Sequence, residues 1–294
     1  MPDTSMTALV SAFVRAYHTL HSAVPVFSDE PARPMLGGDY DAIAENMSRG
    51  IKFFDPDFTG DAYAALRSIV NRHLSPAPLG RAAFCEKALL RAVGLGATQY
   101  IVLGAGFDTF TLRRPPWADG LKVFNIDRPG VIDDRTRRMQ RAGLCADADS
   151  MDIPAELSEP GWTDALTGNA GFSREFTSFV SMPGLIYYLT SDEFDRLMQA
   201  LTRLMPPGSA VAFDYPGTGK NLRQALAKGA GEEMRAQYEY SDIERILEKS
   251  GFLIYEHLTP GDIDAQIFSA HNTAEPLDRI CAPADMRLCL AVRR

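Results

Sequence analysis

Two glycines and two aspartates in the middle of the chain have the types and spacing of a nucleoside-binding site. Gly104-Ala105-Gly106 directly follows the apolar run 100–103, and Asp108 comes two residues later. Glycine tolerates positive φ and lets a ligand approach the backbone, which a Cβ atom would prevent. A second apolar run, 121–126, ends at Asp127. A carboxylate at the tip of the second strand of an open α/β sheet is placed to bind the hydroxyls of a ribose.

Position 109 and its neighbour indicate which nucleoside is bound. The dinucleotide fingerprint has a third glycine where this chain has Thr109. Asp108 adds a negative charge where a pyrophosphate would lie, and it could instead cap the next helix or order water at the amino-acid end of a cofactor. A cofactor with a ribose but no phosphate fits better, which predicts S-adenosylmethionine. A nicotinamide-dependent reductase is the alternative.

Three stretches of sequence resemble the motifs of one family. They are Leu-Gly-Ala-Gly-Phe-Asp-Thr at 103–109, Val-Phe-Asn-Ile-Asp-Arg-Pro at 123–129 and Gly-Leu-Ile-Tyr-Tyr-Leu at 184–189. The chain resembles the leucine carboxyl methyltransferase family, and more closely its bacterial branch linked with polyketide O-methylation. This resemblance implies an S-adenosylmethionine-dependent O-methyltransferase acting on a carboxylate or hydroxyl of a small molecule, an acid or a phenol, in secondary metabolism.

The resemblance also implies further cofactor-binding residues. Arg15 and Arg81 match family positions, and an arginine binds a carboxylate such as that of the methionyl group in bidentate geometry. Arg128 follows the ribose-binding aspartate directly. Asp149, with Ser150 beside it, matches the aspartate that the family places against the adenine amino group. A surface position for each arginine, and a simple polar turn at 148–152, are the alternatives.

Two departures from the family pattern bear on the substrate. Pro183 stands where the carboxyl methyltransferases have an acidic residue, and Asn125 stands where relatives carry glutamate. A protein C-terminal leucine is therefore an unfavourable substrate. The loss of the acidic residue also leaves open a non-catalytic protein that keeps the cofactor fold as a binding module.

Candidates for acid–base work are a tyrosine and several histidines. Methyl transfer from a sulfonium requires alignment and a dry site above all, but a hydroxyl acceptor also benefits from a base. Tyr188 matches a family tyrosine and could position the acceptor, with packing as the alternative. His18 and His21, in a predicted N-terminal helix, are candidate bases, as are His257 and His271; a structural role is the alternative for each histidine.

The elements that must position these residues form an α/β fold. From 99 to 294 strands alternate with helices, which predicts a Rossmann-like methyltransferase core with a mostly parallel seven-stranded sheet. The third strand is predicted near 143–148, with Asp149 at its end, and the last two strands as an antiparallel pair. Capping boxes are predicted at Thr190/Glu193 and at Ser241/Glu244.

Three other segments surround this predicted core. Residues 1–98 have helical periodicity, with helices at 7–20, 61–74 and 81–93, and are predicted to close over the cofactor as a helical lid that contains Arg15. Inserts at 215–239, with a helix at 221–230, and at 261–284 leave the sheet near the expected substrate side. Each insert is interpreted as a lid or pocket wall, or as a solvated elaboration.

Composition excludes several classes of protein. A net charge of −8 gives no support to nucleic acid or an anionic membrane as a partner. The four cysteines lack C-x-x-C spacing, so neither a metal site nor a disulfide framework is predicted. The first residues do not resemble a secretory signal, and no apolar run approaches a membrane span. A cytoplasmic enzyme is expected, and the sequence does not define its oligomeric state.

Overall fold

A seven-stranded sheet organises the computed structural model, which describes residues 5–218 and 234–294. The strands are β1 Gln99–Leu103, β2 Lys122–Asp127, β3 Ser150–Pro154, β4 Ser178–Met182, β5 Ala210–Pro216, β6 Phe252–Leu258 and β7 Met286–Arg293. Their order is β3-β2-β1-β4-β5-β7-β6, with β1 to β5 parallel and β7 antiparallel to both of its neighbours. The predicted Rossmann-like fold with a mostly parallel sheet is confirmed.

The central strands are buried on both faces, as their apolar composition requires. In β1 the side chains alternate between two cores, because successive residues of a strand point to opposite faces. Tyr100 and Val102 pack with the N-terminal helices. Ile101 and Leu103 pack on the other face, with the helices of the second half of the chain.

Helices cover both faces of the sheet. They are α1 Met6–His21, α2 Ala32–Leu36, α3 Asp39–Arg49, α4 Ile51–Phe54, α5 Ala62–Ile69, α6 Pro76–Gly94, α7 Pro129–Arg141, α8 Trp162–Thr167, α9 Ser191–Leu204, α10 Tyr240–Lys249, α11 Pro260–Ile263 and α12 Ser269–Ala274. A π-helical turn, Val70–Leu74, joins α5 to α6. The side chains of α1 to α6 share one apolar core with the sheet. No helix in the described ranges is long and apolar enough to cross a membrane.

Two predicted elements are wrong in position. The third strand begins at Ser150 rather than near 143, because the polar residues before it form a turn in which Asp147 accepts a hydrogen bond from the Asp149 amide (3.1 Å). The box that caps α10 is formed by Glu239 and Asp242, not by Ser241 and Glu244, because the helix begins at Tyr240. The Thr190/Glu193 box at α9 is confirmed.

The two inserts differ in what they contact. The second insert packs against the N-terminal helices, where His271 Nδ1 lies 3.2 Å from Ser22 Oγ. None of its residues lines the two large cavities that lie beside α1. In the first insert the described residues 234–239 run beside β5 and the turn Ile186–Tyr188, and Arg235 donates its backbone N–H to Tyr187 (2.8 Å). The helix predicted at 221–230 lies outside the described residues.

Candidate active site

A cavity of about 440 Å³ opens at the carboxyl ends of β1, β2 and β4, under α1. Its floor is the glycine turn, where Gly104 and Gly106 have φ values of 70° and 50° that favour glycine. The amides of Gly104 and Ala105 donate to the Ile126 carbonyl (2.9 and 3.2 Å), which joins the turn to the end of β2. A Cβ atom on Gly106 would lie 3.2 Å from Ala8 of α1. Helix α1, which covers the cavity, therefore lies in close contact with the glycine turn.

Asp127 lies at the edge of this cavity and is oriented entirely by backbone. Its Oδ2 accepts from the Gly106 amide and its Oδ1 from the Arg128 amide, both at 2.7 Å. Burial raises the pKa of this carboxyl, and the two amide hydrogen bonds oppose the shift. Each carboxylate oxygen can accept a second hydrogen bond. The group is thus held in place with acceptor capacity left for a ligand.

Arg15 links α1 to the glycine turn. Its Nη2 donates to the Phe107 carbonyl and its Nε to Asp29 Oδ2, both at 2.7 Å. Asp29 is fully buried, and its Oδ1 accepts from the hydroxyl of Thr109 at 2.5 Å. The threonine in the third-glycine position is thereby tied to the N-terminal helices through Asp29. The sequence carries no signal for Asp29, because its partners are far from it along the chain.

Arg81 faces the cavity from α6. Its Nη2 donates to Ser11 Oγ (3.2 Å), and its Nη1 lies 3.5 Å from Asp214 Oδ2. The other Asp214 oxygen accepts from the Gly184 amide (2.6 Å). A carboxylate from β5 thus lies beside the turn after β4, where Pro183 replaces the acidic residue of the family pattern.

Three further predicted residues line the same cavity: Asp108, Arg128 and Tyr188. Asp108 Oδ1 accepts from the Phe110 amide (2.8 Å), so this side chain caps the following turn. The backbone carbonyl of Asp108 accepts a hydrogen bond from Arg135 of α7, which is fully buried. The Tyr188 hydroxyl lies 3.4 Å from Thr7 Oγ1 of α1. The structure therefore brings these residues together with Arg15, Arg81, Gly104, Ala105, Gly106 and Asp127.

The family model described as leucine carboxyl methyltransferase matches residues 8–202, which include the glycine turn, Asp127 and Tyr188. The chain belongs to the leucine carboxyl methyltransferase family.

Relatives agree with this membership. "Putative S-adenosyl-L-methionine-dependent methyltransferase YktD" of Bacillus subtilis (strain 168) is 35% identical over 282 residues, covering 91% of this chain and 92% of that protein. A "Putative S-adenosyl-L-methionine-dependent methyltransferase" of Mycolicibacterium paratuberculosis (strain ATCC BAA-968 / K-10) is 32% identical, but the match covers only 53% of this chain and 48% of that protein. The crystal structure of a possible exported protein from Bordetella parapertussis shares the fold, with 13% identity, a TM-score of 0.52 and coverage of 99% and 97% of the two chains.

The protein is therefore a methyltransferase, and its cofactor is S-adenosylmethionine. The alternative of a nicotinamide-dependent reductase is not supported by this family membership. Among the described residues, no group of three or more histidine, cysteine, aspartate or glutamate side chains could hold a metal ion.

Asp149 and Ser150 lie away from the cavity beneath α1. Ser150 pairs with Val123 near the start of β2, and Asp149 forms an ion pair with Lys122 at the same edge. This is the amino edge of a parallel sheet, whereas the cavity lies at the carboxyl edge. The prediction that Asp149 ends the third strand is wrong, because it precedes that strand. The residues that line the cavity after β3 are Ala155, Glu156, Leu157 and Ser158.

His18 and His21 border a separate cavity of about 200 Å³, on the side of α1 that faces the second insert. His18 Nε2 accepts from the Val26 amide (2.9 Å). Burial, aided by His271, lowers the pKa of His18 to about 4, and burial also lowers the pKa of His21. Neither lines the cavity beneath α1, so the structure does not place either as a base there. His257 lies 2.8 Å from the Tyr215 hydroxyl, also away from that cavity.

Proposed function

We propose that this methyltransferase transfers a methyl group to an oxygen atom, a hydroxyl or carboxylate, of a small-molecule acceptor. The observation that carries the proposal is the chemistry of the side chains beside the cofactor cavity, which offer hydroxyl groups and, among the described residues, no anionic partner. The wall shared with the neighbouring cavity contains the hydroxyls of Thr7, Ser11 and Tyr188 and the guanidinium of Arg81, and none of the described residues that line that cavity is a carboxylate. An aliphatic amine is an ammonium ion near neutral pH, and burying that cation without an anionic partner is costly. The described residues of the neighbouring cavity supply no such partner.

The residues of the first cavity fit the cofactor. In the proposed arrangement Asp127 accepts the ribose hydroxyls, since both of its oxygens are already oriented and keep acceptor capacity. Gly104 and Gly106 let the ligand approach the backbone. Arg81 and Arg15 face the methionyl carboxylate. Arg81 is the less tightly held of the two, because its contacts with Ser11 and Asp214 are 3.2 and 3.5 Å long, whereas Arg15 donates to Asp29 and Phe107 at 2.7 Å.

The cofactor supplies a methyl group activated by a sulfonium, and the protein supplies alignment and exclusion of water. In this proposal α1 covers the cofactor, and Tyr188 orients the acceptor oxygen. The resemblance of the motifs to the polyketide branch supports a role in secondary metabolism.

Methyl transfer from ¹³C-methyl-labelled cofactor to a panel of hydroxyl, carboxyl, amine and thiol compounds tests the proposal. The expected products carry the label as a methyl ether or ester, which carbon chemical shifts distinguish from N- and S-methyl groups. Labelling only of nitrogen or sulfur would contradict it. Tight binding of S-adenosylhomocysteine without transfer to any acceptor would favour the non-catalytic binding module.

A further inference from the structure

A second cavity, of about 380 Å³, adjoins the cofactor cavity. The two share a wall formed by Thr7, Ser11, Pro78, Arg81, Gly184 and Tyr188. The remaining lining comes mainly from α1, α3, the π turn and α6, and its apolar members are Met6, Val10, Ile43, Met47, Leu74, Ala77 and Met234. Its volume lies within the range of about 300–1,000 Å³ found for small-molecule sites.

The described lining of this second cavity has no unbalanced charge. Its only charged lining residue among those described is Arg81, which is paired with Asp214 and hydrogen-bonded to Ser11. Its one histidine, His73, packs on Phe54 with ring centroids 5.1 Å apart, and burial lowers the pKa of that imidazole. A neutral imidazole offers no charge to an anionic acceptor.

The neighbouring cofactor makes an anionic acceptor still less favourable. In the proposed arrangement the methionyl carboxylate uses the remaining capacity of Arg81. A second carboxylate in the adjoining cavity would lose its hydration and gain no cationic partner from the residues that the structure describes. An uncharged acceptor avoids this cost.

Three methionines give this cavity an adaptable wall suited to aromatic rings. Met6, Met47 and Met234 are unbranched, and a thioether makes favourable contacts with aromatic groups. Tyr187 and Tyr188 add flat surfaces on the side of the shared wall. A ring bound here lies beside the residues that the two cavities share.

We infer that the second cavity is the acceptor site and that it takes an uncharged aromatic alcohol, a phenol or enol, in preference to a free carboxylic acid. This inference rests on the proposed function. It narrows the acceptor from any oxygen nucleophile to one class.

Methionine-methyl NMR tests the inference with two matched probes, 2-naphthol and 2-naphthoate. The protein is labelled with ¹³C at the methionine methyl groups, and the Met47 signal is assigned from Met47→Leu. Each probe is titrated with and without S-adenosylhomocysteine, whose own binding is measured by calorimetry. We expect 2-naphthol to shift the Met47 signal, but not those of Met182 and Met198 on the opposite face of the sheet, and to bind at least about tenfold more tightly than 2-naphthoate.

A cation introduced into the cavity provides the matched control. Met47→Lys should reverse the preference toward 2-naphthoate, whereas Leu95→Lys, at a position 86% exposed, should leave it unchanged. Equal or tighter binding of 2-naphthoate to the unaltered protein, or no Met47 shift with 2-naphthol, would overturn the inference. Absence of S-adenosylhomocysteine binding would instead count against the proposed function, since the probe titrations without cofactor still report on the cavity.

Discussion

Asp127 is the side chain on which cofactor binding is expected to depend most. Replacing it by alanine leaves the ribose hydroxyls without their charged acceptor, which should weaken S-adenosylhomocysteine binding by about 1–3 kcal/mol. Asp149→Ala is the matched control, because that aspartate lies at the opposite edge of the sheet and should leave the affinity unchanged. Calorimetric titration of both variants measures the difference. An unchanged affinity in Asp127→Ala would remove this residue from the site.

The same carboxylate predicts how binding depends on pH. Because burial raises the pKa of Asp127, the group takes up a proton at a higher pH than an exposed aspartate does. Affinity for S-adenosylhomocysteine should therefore be constant above this pKa. It should fall as the pH drops through the pKa, by at most about tenfold per pH unit. Asp127→Asn should bind weakly with a flatter profile; identical slopes in the two proteins would assign the titration to another group.

The glycine turn and Asp127 could be predicted from sequence because each directly follows a short apolar strand, so local order places it. The position of Asp149 could not be predicted in this way. Aspartates lie both before and after the start of the third strand, and their spacing alone does not define where that strand begins to pair. Asp29 could not be predicted either. Its role depends on contacts with Arg15 and Thr109, which only the packing of α1 on the turn creates.

At the level of single elements, α9 has the clearest stabilising device. Thr190 Oγ1 accepts from the Glu193 amide (3.3 Å), and the Glu193 carboxylate accepts from the Thr190 amide (2.7 Å). Thr190→Ala should lower the free energy of unfolding by about 1 kcal/mol. Ser241→Ala should change it little, because Glu239 rather than Ser241 caps α10. Urea denaturation compares the two variants, and equal losses would contradict this assignment of the caps.

Helix α1 covers the cavity with its first residues and packs in the apolar core with the residues that follow. Ala12, Phe13, Val14 and Ala16 are fully buried, whereas Met6, Thr7 and Ala8 at its start are partly or largely exposed and border the cavities. We propose that only the start of α1 acts as a lid over the cofactor, a narrower role than that expected for the whole segment 1–98.

Hydrogen exchange over residues 5–22 tests the lid. S-adenosylhomocysteine should slow exchange at residues 8–11, whereas residues 12–17 should be protected already in the free protein. Residues 286–293 of β7 serve as the control for general stabilisation by the ligand. The gain should be lost in Arg15→Ala, which removes the bonds to Phe107 and Asp29. Equal exchange with and without ligand would make α1 a fixed part of the core.

For the molecule as a whole, the alternation of apolar runs and amphipathic helices from 99 onward is enough to predict the sheet. The way the remaining parts pack on it is not predictable in this way. The second insert contacts the N-terminal helices through pairs such as Arg67 and Asp278, which are distant in sequence. The predicted boundary at residue 98, between an N-terminal lid and the methyltransferase core, stays a prediction. The N-terminal helices and the sheet share a continuous apolar core, so packing does not mark a boundary there.

Binding of the methyl donor in the cavity beneath α1, through the glycine turn and Asp127, is tested by parallel calorimetric titrations with S-adenosylhomocysteine and NAD. We expect S-adenosylhomocysteine to bind at one site per chain, Asp127→Ala to weaken this binding, and NAD not to bind. Binding of NAD without binding of S-adenosylhomocysteine would show that this cavity is not a site for the methyl donor.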